Sequence, residues 1–293
     1  MRALITGSGG QVGRELVRNA PSGAEVCALG RSELDISDGA AVRAMVKDFA
    51  PTVIINAAAY TAVDRAETER ELAWQVNALA PGLLAEAAAE QGDCRLLHIS
   101  TDYVFGGESA RPYSTDDAPG PINEYGRSKL GGERAVLQAL GARAVIVRSS
   151  WVYGVDGRNF LHTMLRLMRE GRAVRVVADQ IGSPTSAASL ALALWAFAER
   201  PGSSGLHHWT DAGVASWYDF AVSIADQAAL AGLVPDGVEV TPIATEDYPT
   251  PARRPACSLL DKRRTIAALG AGPQHWARSL RATLRSLPPI QGS

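Results

Sequence analysis

Short apolar runs alternate with longer amphipathic stretches through the first half of the chain. Arg2–Thr6, Glu25–Leu29, "TVIINAAA" from Thr52, Arg95–Ile99 and Ala144–Val147 are almost uninterrupted in apolar residues. That is the pattern of strands covered on both faces. Between them, residues 11–20, 38–49, 67–90 and 125–140 carry helical spacing. Ser37 or Asp38 is placed to cap the second helix, and Pro81 to kink or divide the third. The alternation predicts an α/β fold with a parallel sheet and helices on both faces.

After Ser150 the rhythm loosens. Helices are expected at 160–170, 186–199 and 217–230, with two shorter ones at 262–269 and 275–287. "AVRVVADQ" is the candidate for a sixth strand, while "GLHHW" and "VEVTPI" are short and strand-like.

Composition narrows the function. Among 293 residues, 29 basic side chains face 31 acidic ones. This balance argues against a nucleic-acid or polybasic membrane surface. Cys27, Cys94 and Cys257 show no metal-ligand spacing and read as free thiols of a reducing compartment. The most membrane-like stretch, "SLALALWAFA", is too short to span a bilayer. No leader pattern precedes the first strand, so the expectation is a cytoplasmic protein.

Chemistry first shows in "TGSGGQVG", which sets Gly7, Gly10 and Gly13 between the first strand and first helix. Gly7 permits a tight turn, Gly10 a close backbone approach to pyrophosphate, and Gly13 close packing of helix on sheet. The helix start adds N–H groups and a positive dipole end. The fold is therefore read as Rossmann-type. Residues 1–150 form a dinucleotide-binding domain that also carries the catalytic residues. Residues 151–293 form a smaller, mainly substrate-binding region, with some segments returning to the first domain. At the second strand's tip, "LGRSELD" presents Arg31, suited to a 2′-phosphate, with Asp35 close by. NADPH is the expected cofactor, and NADH stays open.

Thr101 and Asp102 follow the fourth strand, at the sheet edge where such folds bind ligands. Tyr125 and Lys129 lie four apart on one helix face. A lysine cation is expected to lower the phenol's pKa and make it a proton donor to a carbonyl oxygen. Thr101 would hydrogen-bond the same oxygen. The catalytic candidates are Thr101, Tyr125 and Lys129.

Together with "GGQVGREL", "STDYVFGG", "YGRSKLGGE", "RSSWVYG", "VADQIGSPT" and "RRPACSLL", these motifs resemble the extended short-chain dehydrogenase/reductases. Within that superfamily the chain is similar to the dTDP-4-dehydrorhamnose reductase family, from residue 1 to about 260. The resemblance implies NAD(P)H-dependent reduction of the C4 ketone of a dTDP-keto sugar. It implies a cofactor surface of Gly7, Gly10, Gln11, Val12, Gly13, Arg31, Asp35, Ile36, Asn56, Ala57, Ala58, Ala59 and Tyr60, with Tyr125 and Lys129. Asn77 falls beside the active region. Thr101, Asp102, Tyr103, Trp151, Asn159, Gln180 and Arg253 or Arg254 fall toward the nucleotide-sugar. Alternatives are a sugar epimerase of the same superfamily and a non-enzymatic dinucleotide-binding subunit. The chain is expected to be a monomer or homodimer, with no required metal.

Overall fold

The computed structural model describes residues 1–288; the last five residues of the 151–293 region lie outside the described residues. Six parallel strands form the central sheet: β1 (Arg2–Thr6), β2 (Glu25–Leu29), β3 (Val53–Asn56), β4 (Arg95–Thr101), β5 (Ala144–Ser149) and β6 (Gly205–His208). Their spatial order is β6-β5-β4-β3-β1-β2. The order reverses at β1, and the crevice there is the usual ligand position in such sheets.

The helices are α1 (Gln11–Arg18), α2 (Gly39–Phe49), α3 (Ala80–Glu90), α4 (Glu124–Leu140), α5 (Phe160–Arg169), α6 (Ala187–Ala198), α7 (Trp217–Leu230) and α8 (Trp276–Arg285), with a shorter one at Arg263–Leu269. Helix α2 starts at Asp38, whose carboxylate accepts from the N–H groups of Ala40 and Ala41. One face of the sheet packs Ile5, Ile55, Leu97 and Val147 against α6 residues Leu190, Leu194 and Phe197. The other packs Leu4, Ile54, Leu96 and Ile146 against Val42, Leu84 and Val136. Burial on both faces is why the inner strands are largely apolar. A separate core, with Leu161, Phe220, Ile224, Trp276 and Leu280, joins α5, α7 and α8.

One expectation changes, and one open alternative is decided. "AVRVV" does form a strand, Val174–Val177, but it pairs with Val240–Ile243 in a small outlying sheet. The sixth central strand is β6, in register with β5 from Gly205–Val145 to His208–Arg148. Its strand character was expected from "GLHHW", but not its place in the central sheet; both of its histidines are buried. The helix expected over 67–90 is divided into Arg70–Trp74, a π-helical turn at Gln75–Leu79, and α3. Pro81 lies in the first turn of α3 and has no N–H to return to the preceding turn, so the wider turn closes there instead.

Candidate active site

The glycine turn is shaped by contacts that only glycine permits. Gly7 has φ +74°, and a Cβ there would lie 2.5 Å from the Ala58 nitrogen. A Cβ on Gly13 would lie 2.2 Å from the Gly7 carbonyl oxygen, so α1 rests directly on the turn. Gly10 caps α1 without a side-chain acceptor for the first N–H groups, which suits an anion.

Beside the turn is a cavity of about 350 Å³ lined by Gly7, Gly10, Arg31, Asp35, Ile36, Ala57, Ala58, Ala59 and Tyr60. Leu72, Gln75 and Val76 complete its far wall. They are set three and four apart, the spacing of one helical face, which was the available signal for them. Gln11, Val12 and Gly13 are not on this wall. The Gln11 side chain turns to Asn159, whose Nδ2 donates to its Oε1 at 2.8 Å, and Val12 packs on the sheet core.

At the rim, Asp35 accepts from the Ser37 N–H and hydroxyl at 2.9 and 2.7 Å. These bonds hold its carboxylate below the usual range. Arg31 is exposed, and no ion pair engages it among the described residues.

The stretches "STDYVF" and "EYGRSK" meet. Helix α4 is capped by Asn123, which accepts from the Gly126 N–H at 2.8 Å. A Cβ on Gly126 would lie 2.2 Å from the Tyr103 carbonyl oxygen, so the helix start is pressed against the turn after β4. The Tyr103 and Tyr125 rings meet edge to face, 5.6 Å between centroids. Thr101 ends β4 and donates to Asp102 Oδ1 at 3.0 Å. Burial pushes Asp102 up to about 6, against hydrogen bonds from Ser258 and Thr101.

One expectation about Tyr125 needs correction. Burial pushes its phenol up to about 12, and it is Thr101 that pulls it down. Lys129 is directed elsewhere: its Nζ donates to the Ile99 carbonyl at 2.6 Å and lies 3.4 Å from His98 Nε2. Burial pushes Lys129 down to about 8, against the pull of Glu133.

Several predicted residues shape the backbone. Asn56 is fully buried; its Oδ1 accepts from Thr6 Oγ1 and the Ala58 N–H, and its Nδ2 meets His98. Asn77 binds both the N–H and the carbonyl of Tyr60, and reaches Ser128 on α4. Asn159 caps α5 while tying it to the glycine turn.

Trp151 lies two residues beyond Ser149, the strand partner of Thr101. It is one of two non-glycine residues with positive φ among those described, at +49°. Its indole stacks on Trp217 at 3.6 Å and 7°. Gln180 donates to Thr245 Oγ1 at 3.1 Å. Arg254 forms a two-pronged pair with Asp64 at 2.5 and 2.8 Å. Arg253 is exposed, and its carbonyl accepts from Asn123 Nδ2 at 2.8 Å. Trp217, Asp64 and His98 were not singled out by sequence, because each matters only through a partner distant in the chain.

The family model described as "RmlD substrate binding domain" matches residues 1–288. A curated dTDP-4-dehydrorhamnose reductase of Aggregatibacter actinomycetemcomitans is 44% identical over 287 residues, covering 96% of this chain and 97% of the relative. The chain belongs to the dTDP-4-dehydrorhamnose reductase family. A probable dTDP-4,6-dihydroxy-2-methyloxan-3-one 4-ketoreductase of Streptomyces antibioticus is 43% identical, covering 96% of this chain and 94% of that one. The crystal structure of the Bacillus anthracis family member in complex with NADP has TM-score 0.90 and 36% identity, covering 96% and 98% of the two chains. In this family member the glycine turn, the Thr101–Tyr125–Lys129 group and the Trp151 loop all lie at the carboxyl edge of one sheet.

Proposed function

We infer that the protein is an NAD(P)H-dependent oxidoreductase that reduces the C4 ketone of dTDP-4-dehydro-L-rhamnose to give dTDP-L-rhamnose. The observation that carries this reading is the convergence of Thr101 and Tyr125 at the end of β4, on the carboxyl edge of the same sheet as a glycine turn whose Gly7 and Gly13 leave no room for a Cβ. The turn, α1 and the cavity wall of Ala57, Ala58 and Tyr60 fit a dinucleotide. When bound, the dinucleotide supplies the hydride.

The chain's residues supply position and the proton. Thr101 orients the ketone oxygen by a hydrogen bond. Tyr125 gives its phenolic proton to the alkoxide that develops there. Its raised pKa keeps it protonated at neutral pH, the state a donor needs. Trp151, held flat on Trp217, offers an apolar wall to the deoxysugar.

NADPH is the preferred reductant in this reading, since Arg31 is available at the rim while Asp35 is engaged by Ser37. Arg253 is assigned to the substrate's pyrophosphate and Arg254 to the clamp on Asp64.

The test is Tyr125→Phe. Sugar-dependent oxidation of NADPH should fall by about 10²–10⁴-fold, as expected for loss of a general acid, with the affinity for NADPH unchanged. Normal turnover by that variant would remove Tyr125 from the mechanism. A product other than dTDP-L-rhamnose from the wild-type reaction would reassign the sugar.

A further inference from the structure

Behind the Tyr125–Lys129 face a row of polar groups crosses the sheet interior: Thr6 on β1, Asn56 on β3, His98 on β4 and Lys129 on α4. All four are at most 2% exposed. Their hydrogen bonds have only one consistent direction.

The Ala58 N–H can only donate, and it donates to Asn56 Oδ1 at 3.1 Å. Thr6 Oγ1 donates to the same oxygen at 2.7 Å. The amide is thereby fixed, and its NH₂ group faces His98 Nδ1 at 3.1 Å. An amide nitrogen offers no lone pair, so Nδ1 must be bare. Protonation of Nδ1 is blocked, which excludes the imidazolium. A neutral ring with a bare Nδ1 carries its proton on Nε2. That N–H points at Lys129 Nζ, 3.4 Å away.

An ammonium has three donors and no acceptor, so donor would face donor. An amine accepts from Nε2 while still donating to the Ile99 carbonyl at 2.6 Å. Every group in the row is satisfied only when Lys129 is neutral.

We propose that His98, locked by Asn56 as its Nε2-protonated tautomer, is a positioning residue that weakens the hold of Lys129 on its proton and makes it titrate in the working pH range. The proposal rests on the reductase reading and adds to it a residue that touches neither ketone nor hydride.

The other groups around Lys129 leave this effect in place. Glu133, one turn further along α4, is the nearest counter-charge. It is already engaged by Arg148 of β5 at 2.6 and 2.8 Å and by the Ser100 hydroxyl of β4. Tyr125, one turn earlier, is protonated at neutral pH. Asp102, in the turn after β4, takes its hydrogen bonds from Thr101 and Ser258 and not from Lys129. Neighbouring Ser128 and Asn77 are uncharged.

The test uses the full-length protein. Nitrogen-15 spectra of labelled histidine report the His98 tautomer in the wild type. Carbon-13 and nitrogen-15 spectra of labelled lysine follow Lys129 against pH, with Lys129→Met identifying its signal. In His98→Gln the side-chain carbonyl can accept from Lys129. The expected result is an Nε2-protonated His98 in the wild type and, in His98→Gln, a Lys129 proton affinity at least tenfold higher. The high-pH limb of the ketone-reduction rate should move up by the same factor.

An Nδ1-protonated His98 would overturn the proposal, and so would a Lys129 midpoint unchanged by the substitution. If His98→Gln does not fold, the wild-type tautomer decides. Absence of ketone reduction in the wild type, with the tautomer and titration as expected, would sink the reductase reading and leave the His98–Lys129 coupling standing.

Discussion

Gly182→Ala places a methyl group against the aromatic pair with the shortest ring separation among the described residues. The added Cβ would lie 2.6, 2.8 and 2.9 Å from Trp151 Cε2, Cζ2 and Nε1. Carbon atoms in contact sit about 3.5–4.0 Å apart, so the indole has to retreat by roughly 1 Å. Trp217 lies 3.6 Å behind it, and φ of +49° leaves the Trp151 backbone little room to follow. Overpacking of this kind costs about 1–3 kcal/mol, and a disrupted aromatic stack a further 0.5–1.5 kcal/mol or so. The variant should lose about 2–4 kcal/mol in urea unfolding. The exciton signal of the tryptophan pair in far-ultraviolet circular dichroism should weaken. The KM for the keto sugar should rise, with the KM for NADPH unchanged, since Gly182 is not among the residues of the dinucleotide cavity. Wild-type stability with an intact exciton signal would show that the loop accommodates the methyl group and that the stack is not held as described.

Three further outcomes follow from particular contacts. Arg31→Ala should raise the KM for NADPH by about 10- to 100-fold, the worth of one charged hydrogen bond, and leave that for NADH unchanged; equal effects on both would remove the 2′-phosphate assignment. Glu133→Gln leaves the buried Arg148 without its counter-charge, and a loss of about 3–5 kcal/mol is expected in the unfolding free energy from urea titration; a change below 1 kcal/mol or so would mean that water or the Phe105 ring, 4.9 Å from the Arg148 guanidinium, compensates. Burial pushes the Lys129 ammonium down to about 8, from an ordinary lysine value of about 10.4 in the unfolded chain. Between those pH values the unfolded chain holds the proton that the folded chain has released, so stability rises with pH across the window. The rise is on the order of 3 kcal/mol, read as the difference between wild type and Lys129→Met; a difference independent of pH would contradict the lowered affinity.

Much of the fold was legible in the chain. Four of the five apolar runs became the buried strands β1, β3, β4 and β5, and the fifth, β2, took the half-buried edge of the sheet. The glycine turn was legible because the steric demand at Gly7 and Gly13 falls on glycine alone. Thr101, Tyr125 and Lys129 could be named because strand ends and four-residue helical spacing are local rules.

Other features depended on which segments meet. Local pattern marks "AVRVV" and "GLHH" alike as strands, but the neighbour available for pairing assigned only the latter to the central sheet. The partner of Trp151 is 66 residues further along the chain, and that of Arg254 is 190 residues earlier. The charge state of the site was set in the same way. Spacing predicts a lysine cation lowering a phenol. The folded chain buries that lysine beside His98 and the Ile99 carbonyl, with Glu133 engaged by Arg148, and the phenol is raised. The sequence by itself determined the parallel sheet, the glycine turn and the choice of Thr101, Tyr125 and Lys129 as candidates, because these follow from sterics and spacing within a few residues. Only the tertiary structure decided how strongly those groups hold their protons, because desolvation and hydrogen-bond direction are properties of the surroundings and not of the residue.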